Sequence, residues 1–473
     1  MPRAYRTSQT RQQSSSGYPR ETILEVLQAT DIVDLIGSFL ELKPAGSGRF
    51  KGLCPFHNEK TPSFHVDRGR QAYYCFGCEK GGDAIAFLRE YEGLSFIESL
   101  KTLADRGGVT LPALQERDNK EEYMRAQLHE LGTFAGKLYR ELLHDPLKGG
   151  PCRQYLKSRA LQPETIERFG LGFAPDDWST LTDAARADGF RETVLEASGL
   201  AKRGNRGGLY DFFRNRLMVP IRDVSGKVVA FGGRDLGDSA AKYINSPENV
   251  VYKKSRVLYG LYEARDGMRK AKRALIVEGY FDLLRCFDSG IENAVAPCGT
   301  ALTGEQARLI RRYVPEVVVV FDGDAAGIRA ALRGIGILVA EGLTVRAIVL
   351  PNGQDPDDYI RAEGPEAFEA LVERATDFVT FYVEHNAQRI RTIEGRTDVA
   401  KELFTILLNL EDVLRRDEYL KRTARVLGLD EWTCRAELRK FEREERHRDS
   451  FRSAGPASEE QAAKAPSFDD CVF

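Results

Sequence analysis

Four short apolar runs between residues 273 and 351 most constrain how this chain folds. Their sequences are RALIVEG, NAVAPCGT, EVVVVFDGD and TVRAIVLP, and helix-length segments separate them. Strands that are apolar at nearly every position are buried on both faces, which is typical of a parallel sheet covered by helices. The sequence therefore predicts a parallel α/β sheet in this part of the chain.

Acidic residues follow the first and third of these runs. Glu278 follows the first, in VEGYFD, and Asp322 and Asp324 follow the third, in VVVVFDGDAAG. Ligands of open α/β sheets bind outside the carboxyl ends of the strands, so we expect these carboxylates to meet at one edge. Crowded carboxylates repel one another unless a divalent cation lies between them, and oxygen ligands with open positions suit Mg²⁺ or Mn²⁺. The three acids are therefore predicted to form a metal-dependent catalytic site.

A second acidic group follows the fourth run, in the segment QDPDDYI. Asp355, Asp357 and Asp358 fall at the same predicted edge, and the first two are candidates to complete the metal site. An acid at such a position also occurs as the N-cap of a helix or in its first turn. That alternative stays open for Asp357 and applies above all to Asp358.

Four metal-ligating residues cluster nearer the N-terminus. Cys54 and His57 form one x2-spaced pair, Cys75 and Cys78 form another, and seventeen residues separate the two pairs. Zinc takes four such ligands in a tetrahedron, and a site closed by four protein ligands is structural. The alternative is a chance group of reduced thiols. His65 has no x2 partner, so we interpret it as a surface or DNA-facing side chain.

The segment between the two pairs predicts a β-hairpin. TPSFHV and QAYYCF alternate about the turn DRGR. Four aromatic residues lie on or beside this hairpin: Phe64, Tyr73, Tyr74 and Phe76. We expect most of them to be core residues, with one or two facing outward to stack on nucleic-acid bases.

Length and composition exclude several classes of protein. At 473 residues, with 42% hydrophobic and 30% charged residues, the chain is expected to form two or three packed units. No apolar run approaches the roughly 20 residues that span a bilayer. The first twenty residues lack the apolar segment of a secretory signal, so a cytoplasmic protein is expected. Three of the eight cysteines belong to the two x2 pairs, and the scatter of the other five does not suggest a disulfide framework.

Positive charge is concentrated in one segment, although the net charge is −2. Between Ala201 and Arg273 there are seventeen Lys and Arg against seven Asp and Glu, an excess of ten. Such a segment predicts a track for a polyanion, with a solvated surface as the alternative. Within it, residues 217–234 are strand-like, and turns are predicted at Val224–Gly226 and at Gly232–Gly233.

These motifs, in this order, resemble the bacterial DnaG-type primases. E-G-Y-x-D and D-x-D-x-A-G resemble the TOPRIM fold, which primases, topoisomerases and some nucleases share, and the C-x2-H…C-x2-C ribbon resembles the zinc-binding domain of these primases. YLKSRALQPETIERFGLGFAP, FRNRLMVPIRDVSGKVVAFGGR and KYINSPENVVYKKSRVLYGLYEA are similar to their polymerase core, and the likeness runs from about residue 20 to 446. The resemblance implies a nucleotidyltransferase that makes short RNA primers on single-stranded DNA from ribonucleoside triphosphates for replication.

The resemblance also implies roles for individual residues. Glu278, Asp322 and Asp324 correspond to the metal-binding acids of the family, and Asp355 and Asp357 to further acids of that site. The residues that match its basic ridge, which holds template and incoming nucleotide, are Arg214, Arg216, Arg234, Lys242 and Lys254. Arg159 and Asn245 fall within family motifs and are further candidates for nucleic-acid or nucleotide binding.

The prediction is a multidomain α/β protein with a C-terminal helical subdomain. Its segments are a disordered tail (1–20), a zinc-ribbon β module (21–112), a linker (113–122), an α+β basic subdomain (123–270), a TOPRIM-type parallel sheet (271–360), a helical subdomain (361–446) and a disordered tail (447–473). Within the zinc-ribbon module, Thr30 is a candidate N-cap for a second helix.

Helicase coupling is the one point at which the sequence departs from the family pattern. Members usually end in a sizeable helical domain that grips the replicative helicase, whereas 27 residues remain here after position 446. The docking domain is therefore predicted to be missing. The replicative helicase stays a candidate partner, with coupling either absent, mediated elsewhere or supplied by another chain.

Two other classes of function use parts of the same pattern. A TOPRIM topoisomerase or nuclease would use the same acids, but a topoisomerase also needs a nucleophilic tyrosine in a DNA-gate domain, for which the remaining chain is too short. A non-catalytic DNA-binding factor needs only the zinc and basic segments, and the intact acids argue against it. No G-x4-G-K-[ST] phosphate loop is present, which excludes a fused helicase motor.

Overall fold

The computed structural model describes residues 18, 20–57, 59, 61–92, 94, 96–112, 120–205, 207–299, 301–321, 325–410 and 412–453. Asp322 and Asp324 lie outside these residues, as do most of the two predicted tails. Tyr18, within the first predicted tail, is buried. In the described part of the chain, no helix is both long enough and apolar enough to cross a membrane.

The first unit combines four helices with a five-stranded antiparallel sheet. Its elements are α1 (Arg20–Gln28), α2 (Ile32–Gly37), β1 (Lys43–Pro44), β2 (Arg49–Gly52), β3 (Phe64–Asp67), β4 (Ala72–Cys75), β5 (Gly81–Gly82), α3 (Ala84–Tyr91) and α4 (Phe96–Gly107). The strands lie in the order β1-β2-β3-β4-β5. The predicted hairpin is confirmed, since Phe64 pairs with Cys75 and Asp67 with Ala72.

The N-cap of α2 is Asp31 rather than Thr30. The Asp31 carboxylate accepts hydrogen bonds from the backbone N–H groups of Val33 and Asp34, at 2.8 and 3.2 Å. The Thr30 hydroxyl instead donates to the Val26 carbonyl of the preceding helix, at 2.9 Å. Both residue types cap helices, and the structure uses the one that directly precedes the first helical turn.

The second unit packs helices against a four-stranded antiparallel sheet. Its elements are α5 (Lys120–His144), α6 (Gly150–Ser158), α7 (Pro163–Phe169), β6 (Gly172–Ala174), α8 (Thr180–Ala187), α9 (Glu192–Ser198), β7 (Ala201–Arg203), β8 (Leu209–Asp211), β9 (Arg216–Arg222), β10 (Val228–Asp235) and β11 (Tyr243–Asn245). The sheet order is β11-β10-β9-β6, and β7 and β8 form a separate pair. The long helix α5 begins at Lys120, inside the predicted linker, and packs Tyr139 against Phe231 of β10.

One of the two predicted turns in this unit is confirmed and the other is wrong. Gly226 lies in the turn between β9 and β10 with φ +89°. Gly232 and Gly233 lie inside β10. A β carbon on Gly232 would be 2.8 Å from the Tyr280 ring, and one on Gly233 would be 2.6 Å from the Phe213 ring. Close packing of aromatic rings, and not a turn, therefore requires these glycines.

The third unit contains the predicted parallel sheet. Its elements are β12 (Leu258–Tyr259), α10 (Leu261–Ala271), β13 (Arg273–Ile276), α11 (Tyr280–Asp288), β14 (Ala294–Pro297), α12 (Gly304–Arg311), β15 (Glu316–Phe321), α13 (Ala325–Ala340), β16 (Thr344–Val349), α14 (Pro356–Glu363), α15 (Pro365–Glu373), β17 (Thr376–Asp377) and α16 (Phe378–His385). The strand order is β12-β14-β13-β15-β16-β17. The four inner strands are parallel, as predicted. The antiparallel edge strands β12 and β17 are two residues long and were not predicted.

Three further helices complete the described chain: α17 (Ile393–Leu408), α18 (Val413–Leu427) and α19 (Glu431–Ser453). The last helix continues past residue 446, where a disordered tail was predicted to begin. Two arginines of α18 bind the parallel sheet. Arg415 donates to the Gly342 carbonyl at 2.8 Å, just before β16, and Arg422 pairs with Asp377 of β17 at 3.0 Å. The helical unit is therefore fixed to the β16–β17 edge of the sheet.

The first unit contacts both of the others. The Glu98 carboxylate of α4 lies 2.6 Å from the His129 ring of α5 and 3.5 Å from the Lys227 ammonium. On the third unit, the Arg312 guanidinium lies 5.3 Å from the centre of the Tyr91 ring. Polar and cation–π contacts thus hold the first unit against the rest of the chain.

Candidate catalytic edge and zinc site

The four predicted zinc ligands lie together. The ligand atoms of Cys54, His57, Cys75 and Cys78 are all within 4.8 Å of one another. The Cys54 and Cys78 sulfurs are 3.7 Å apart, as are the Cys75 sulfur and Nδ1 of His57. Tetrahedral zinc, with bonds of about 2.0–2.3 Å, spaces its ligands by roughly 3.3–3.8 Å. The donor set and its spacing therefore fit zinc.

Glu59 organises this cluster and was not predicted from the sequence. Its Oε1 accepts the backbone N–H groups of Cys54 and Ser63, at 2.6 and 3.1 Å, and its Oε2 lies 3.4 Å from Nε2 of His57. Burial raises the pKa of Glu59, but hydrogen bonds from Ser63 and Cys54 outweigh it, so that the pKa is lowered overall. A carboxylate on the far nitrogen of a ligating histidine fixes the tautomer and orientation of the ring. An acid two residues after the histidine is the sequence signal that could have identified it.

The aromatic residues of the hairpin divide evenly between core and surface. Phe64 and Tyr73 are buried, whereas Tyr74 is exposed and Phe76 is 70% exposed. The His65 and Tyr74 rings lie 5.1 and 5.0 Å from the Phe76 ring, edge to face. Two of the four thus face outward, within the predicted number, whereas the expectation that most are core residues is wrong. Stacking of Tyr74 and Phe76 on bases stays a prediction, and His65 lies beside them.

The carboxyl edge of the parallel sheet begins with Glu278. Strands β13 and β15 are neighbours, with Ile276 opposite Val319. Glu278 and Phe321 each follow two residues later, so the two segments leave the sheet at the same level. Glu278 is exposed, although its neighbours on both sides are partly or fully buried. Asp322 and Asp324 lie outside the described residues, and their convergence with Glu278 stays a prediction.

The turn after Glu278 is held in place from two sides. The Gly279 N–H donates to the Asp282 carboxylate at 2.7 Å, and the Tyr280 hydroxyl donates to Oδ1 of Asn245 at 2.8 Å. The Asn245 amide donates in turn to the Cys298 carbonyl at 3.0 Å. Asn245, predicted to bind nucleic acid or nucleotide, thus joins β11 to two loops at the catalytic edge.

The acids after β16 have different surroundings. Asp355 is the N-cap of α14 and accepts the Asp358 N–H at 2.7 Å. Burial, together with the carboxylates of Asp357 and Asp358, raises the pKa of Asp355. Asp357 is 1% exposed, and its two oxygens accept from Arg159 at 2.9 Å and from Arg285 at 2.8 Å. Of the two predicted metal ligands, Asp355 is therefore the more exposed, whereas Asp357 is buried in ion pairs with two arginines.

Arg214 stacks on an exposed tryptophan that was not predicted. Its guanidinium lies 3.9 Å from the centre of the Trp178 ring and 5.5 Å from that of Tyr210. Trp178 is 61% exposed. An exposed aromatic ring beside a cation suits stacking on bases of a single strand. The sequence signal was an isolated tryptophan in the polar segment APDDWST.

Two other predicted ridge residues are largely enclosed. Arg216 is buried and donates to two backbone carbonyls at 3.1 Å each, and burial lowers its pKa. The Arg234 guanidinium lies 5.1 and 5.4 Å from the rings of Tyr155 and Tyr243. The structure therefore places Arg216 in a fold-stabilising position, whereas Arg234 lies partly exposed among aromatic rings.

The two predicted lysines lie nearer the surface. Lys242 is exposed just before β11, and Lys254 is half-buried in a 3₁₀ turn. The Lys254 backbone N–H donates to the Glu248 carboxylate at 2.8 Å. Lys242 is the more exposed of the two, and its contact with a phosphate backbone stays a prediction.

Four protein-family models match successive parts of the chain. The CHC2 zinc finger matches residues 18–119, and the N-terminal domain of the DNA primase catalytic core matches residues 138–265. A Toprim-like model matches residues 275–360, and the DnaB-helicase binding domain of primase matches residues 386–431.

Curated relatives and solved structures agree with these matches. The DNA primase of Halalkalibacterium halodurans is 40% identical over 415 residues, which are 87% of this chain and 69% of that protein. The DNA primase of Listeria monocytogenes is 37% identical over 431 residues, or 89% and 69% of the two chains. The zinc-binding and RNA polymerase domains of Aquifex aeolicus primase superpose with a TM-score of 0.60 at 33% identity, covering 87% of this chain and 98% of that one. A DnaG primase catalytic domain bound to single-stranded DNA gives a TM-score of 0.60 at 34% identity, covering 66% and 99%.

The match to the helicase-binding domain corrects one prediction. That domain was predicted to be missing because too few residues follow position 446, but the match falls on residues 386–431, within the segment predicted as the helical subdomain (361–446). Helices of a docking bundle and of a core bury the same kind of apolar stripe, so periodicity did not distinguish them. With zinc finger, catalytic core, Toprim sheet and helicase-binding region in order along one sequence, the chain belongs to the DnaG family of DNA primases.

Proposed function

We propose that Glu278, Asp322 and Asp324 of this primase hold the Mg²⁺ ions that support nucleotidyl transfer. As a DNA primase, the chain synthesises short RNA primers on a DNA template. The observation that supports the assignment is the register of β13 and β15, which brings Glu278 level with Phe321, the residue before Asp322 in the sequence. Asp355, at the end of the next strand, is the fourth candidate ligand.

The chemistry follows from carboxylates at an open, solvated edge. Held by these carboxylates, Mg²⁺ would lower the pKa of the attacking 3′-hydroxyl and would neutralise charge on the α-phosphate and on the departing pyrophosphate. The protein's own contribution is to position the reactants and to fix the ligand oxygens before the reaction. No covalent bond between protein and substrate is needed. Buried flanking residues hold Glu278 at the rim, and the N-cap bond of Asp355 fixes its carboxylate. Mn²⁺ suits the same oxygen ligands, and Mg²⁺ is proposed as the working ion because it accepts phosphate oxygens while keeping several waters.

Primer synthesis with single-stranded DNA, labelled ribonucleotides and Mg²⁺ tests this proposal. Asp322→Asn and Glu278→Gln should each lower the rate by at least about 100-fold, as loss of other charge-stabilising groups does, with DNA binding retained. Asp183→Asn is the matched control, an exposed acid of α8 that pairs with Arg186. Near-normal synthesis by Asp322→Asn would show that the acids are misassigned. Cleavage or relaxation of DNA in place of RNA synthesis would favour a nuclease or topoisomerase.

The zinc unit is proposed to contain one structural Zn²⁺ held by Cys54, His57, Cys75 and Cys78. Four protein ligands leave no open coordination position for substrate. The exposed Phe76, together with Tyr74, provides rings on which template bases can stack near the start site. Single-stranded DNA is thus proposed to contact this unit as well as Trp178 and Arg214.

Residues 386–431 are proposed to bind a DnaB-type helicase. Val413 and Leu414, at the start of α18, are exposed, the latter by 70%. Large apolar side chains exposed together are typical of docking surfaces. Leu414→Asp should weaken co-purification with such a helicase, whereas Leu147→Asp, at an exposed leucine outside this segment, should not. Equal binding by Leu414→Asp and the wild-type chain would move the docking surface elsewhere.

A further inference from the structure

We propose that Arg285 is a positioning residue that sets Arg159 against the catalytic edge. The inference rests on the role in binding nucleotide or template that is predicted for Arg159 from the sequence. Arg285 lies on α11, the helix that follows Glu278, and it is not among the residues that the family motifs single out.

Arg285 is 6% exposed and uses all three guanidinium nitrogens. Nε donates to the Asp357 carboxylate at 2.8 Å, and Nη1 donates to the Asp288 carboxylate at 2.9 Å. Nη1 also reaches the Ala160 carbonyl at 3.3 Å, and Nη2 donates to the Arg159 carbonyl. One buried cation thus joins two buried acids to the backbone that carries Arg159.

The backbone at this point has a conformation that needs support. Ala160 follows the end of α6 with φ +51°, in the left-handed region that residues other than glycine rarely adopt. Arg285 binds the carbonyl of this residue and that of the residue before it. Asp288, its ion-pair partner, accepts the Gln162 N–H at 2.9 Å and the Thr165 hydroxyl at 2.7 Å. Helix α11 of the catalytic sheet therefore holds the turn after α6 in place.

The Arg159 side chain is fixed by the same network. Its Nη1 donates to Asp357 at 2.9 Å, and its guanidinium lies 5.0 Å from the centre of the Phe281 ring. Asp357 follows Asp355 by two residues, so this network lies beside the proposed metal ligands. Arg285 therefore holds the Arg159 backbone in place through its carbonyl, and it also holds the Asp357 carboxylate to which the Arg159 side chain binds. An apolar side chain could fill the same volume, but it could not specify this arrangement.

The test is a double-mutant cycle in primer synthesis, measuring kcat, KM for ribonucleotides and Kd for single-stranded DNA. Arg159→Ala identifies the binding constant to which Arg159 contributes. Arg285→Met should weaken that same constant by about 10- to 100-fold, as small misplacements of binding groups do, with a smaller change in kcat. The double variant should be no weaker than Arg159→Ala alone, because one residue acts through the other. Ala160→Gly should recover part of the loss in the Arg285→Met background, because glycine adopts the left-handed region freely.

Arg346→Met is the matched control. Arg346 also binds backbone carbonyls, those of Ala375 at 2.8 Å and Glu373 at 2.6 Å, but it lies on β16 and pairs with Glu316, at the start of β15. It should lower the thermal midpoint without changing either binding constant. If Arg285→Met does not fold, Arg285→Lys, which keeps the cation but cannot reach every partner, replaces it in the cycle.

Two outcomes overturn the proposal while leaving Arg159 in its role. The first is an unchanged binding constant in a folded Arg285 variant. The second is a double variant whose loss of binding equals the product of the losses in the two single variants, because independent residues would give that result. A third outcome, no effect of Arg159→Ala, overturns the proposal together with the role of Arg159. The assignment of the catalytic acids is tested separately and survives all three.

Discussion

Replacing Gly232 by alanine tests how tightly β10 packs against α11, the helix that follows Glu278. The added β carbon would lie 2.8 Å from one ring carbon of Tyr280, 2.9 Å from the next and 3.0 Å from the hydroxyl oxygen. Carbon atoms in contact are normally about 3.5–4.0 Å apart, so the ring must move by roughly 1 Å. The ring packs on Tyr259 with centres 4.7 Å apart, and its hydroxyl binds Asn245. Since the ring cannot move without disturbing one of these contacts, overpacking should cost about 1–3 kcal/mol of unfolding free energy.

Chemical denaturation of the wild-type and variant chains measures this difference. Gly136→Ala on α5 is the matched control, because its β carbon would be 3.9 Å from the nearest atoms of Phe231 and Val228. That variant should be stabilised by about 0.5–1 kcal/mol through the helix preference of alanine over glycine. Gly232→Ala should also slow primer synthesis, because Tyr280 follows Glu278 by two residues. A Gly232→Ala chain as stable and active as the wild type would refute the packing argument.

Three further predictions concern the zinc and DNA surfaces. Glu59→Gln should weaken zinc binding by about 10- to 100-fold, because it removes the carboxylate that orients the ligating His57. Glu41→Gln, at an exposed acid, should not, and competition for zinc with a chelating dye measures both. Removal of zinc should unfold the β3–β4 hairpin while the parallel sheet stays folded. Amide hydrogen exchange measures the two regions separately, and continued protection of the hairpin amides would contradict a structural role for the metal. Trp178→Ala should weaken binding of single-stranded DNA by about 1–3 kcal/mol. Lys242→Ala should instead reduce the slope of the logarithm of the binding constant against the logarithm of salt concentration by about one, which titrations at several salt concentrations measure.

Local sequence patterns were sufficient where the chemistry is local. The zinc ligands are two x2 pairs around an alternating hairpin, and both the hairpin and the grouping of the ligands are confirmed. The inner strands of the parallel sheet were predicted from continuous apolar runs, because burial on both faces leaves no other pattern. The ends of these strands then identified the candidate acids.

Features that depend on tertiary contacts could not be predicted in this way. Gly232 and Gly233 look like a turn in the sequence, and only the rings of Tyr280 and Phe213 explain why glycine is needed inside a strand. Arg216 matches a basic ridge, yet it is buried among backbone carbonyls. Charge and motif identify the residue type, whereas its environment is set by segments far away in the chain.

The acids after β16 show the same limit at the site itself. Asp355 and Asp357 differ by two positions in sequence and have the same side chain. The structure makes one a helix cap and encloses the other between Arg159 and Arg285. Arg285 lies 72 residues before Asp357, so no local spacing could have revealed the pair.

The contacts of α18 bear on how priming is coupled to unwinding. Arg415 and Arg422 attach this helix to the strand edge formed by β16 and β17, and β16 leads through the 3₁₀ turn Pro351–Gly353 to Asp355. A helicase bound to α18 would therefore be held at a fixed position relative to the catalytic site, and not through a flexible linker. The spacing between freshly unwound template and the start of a primer would then be set by the dimensions of the fold.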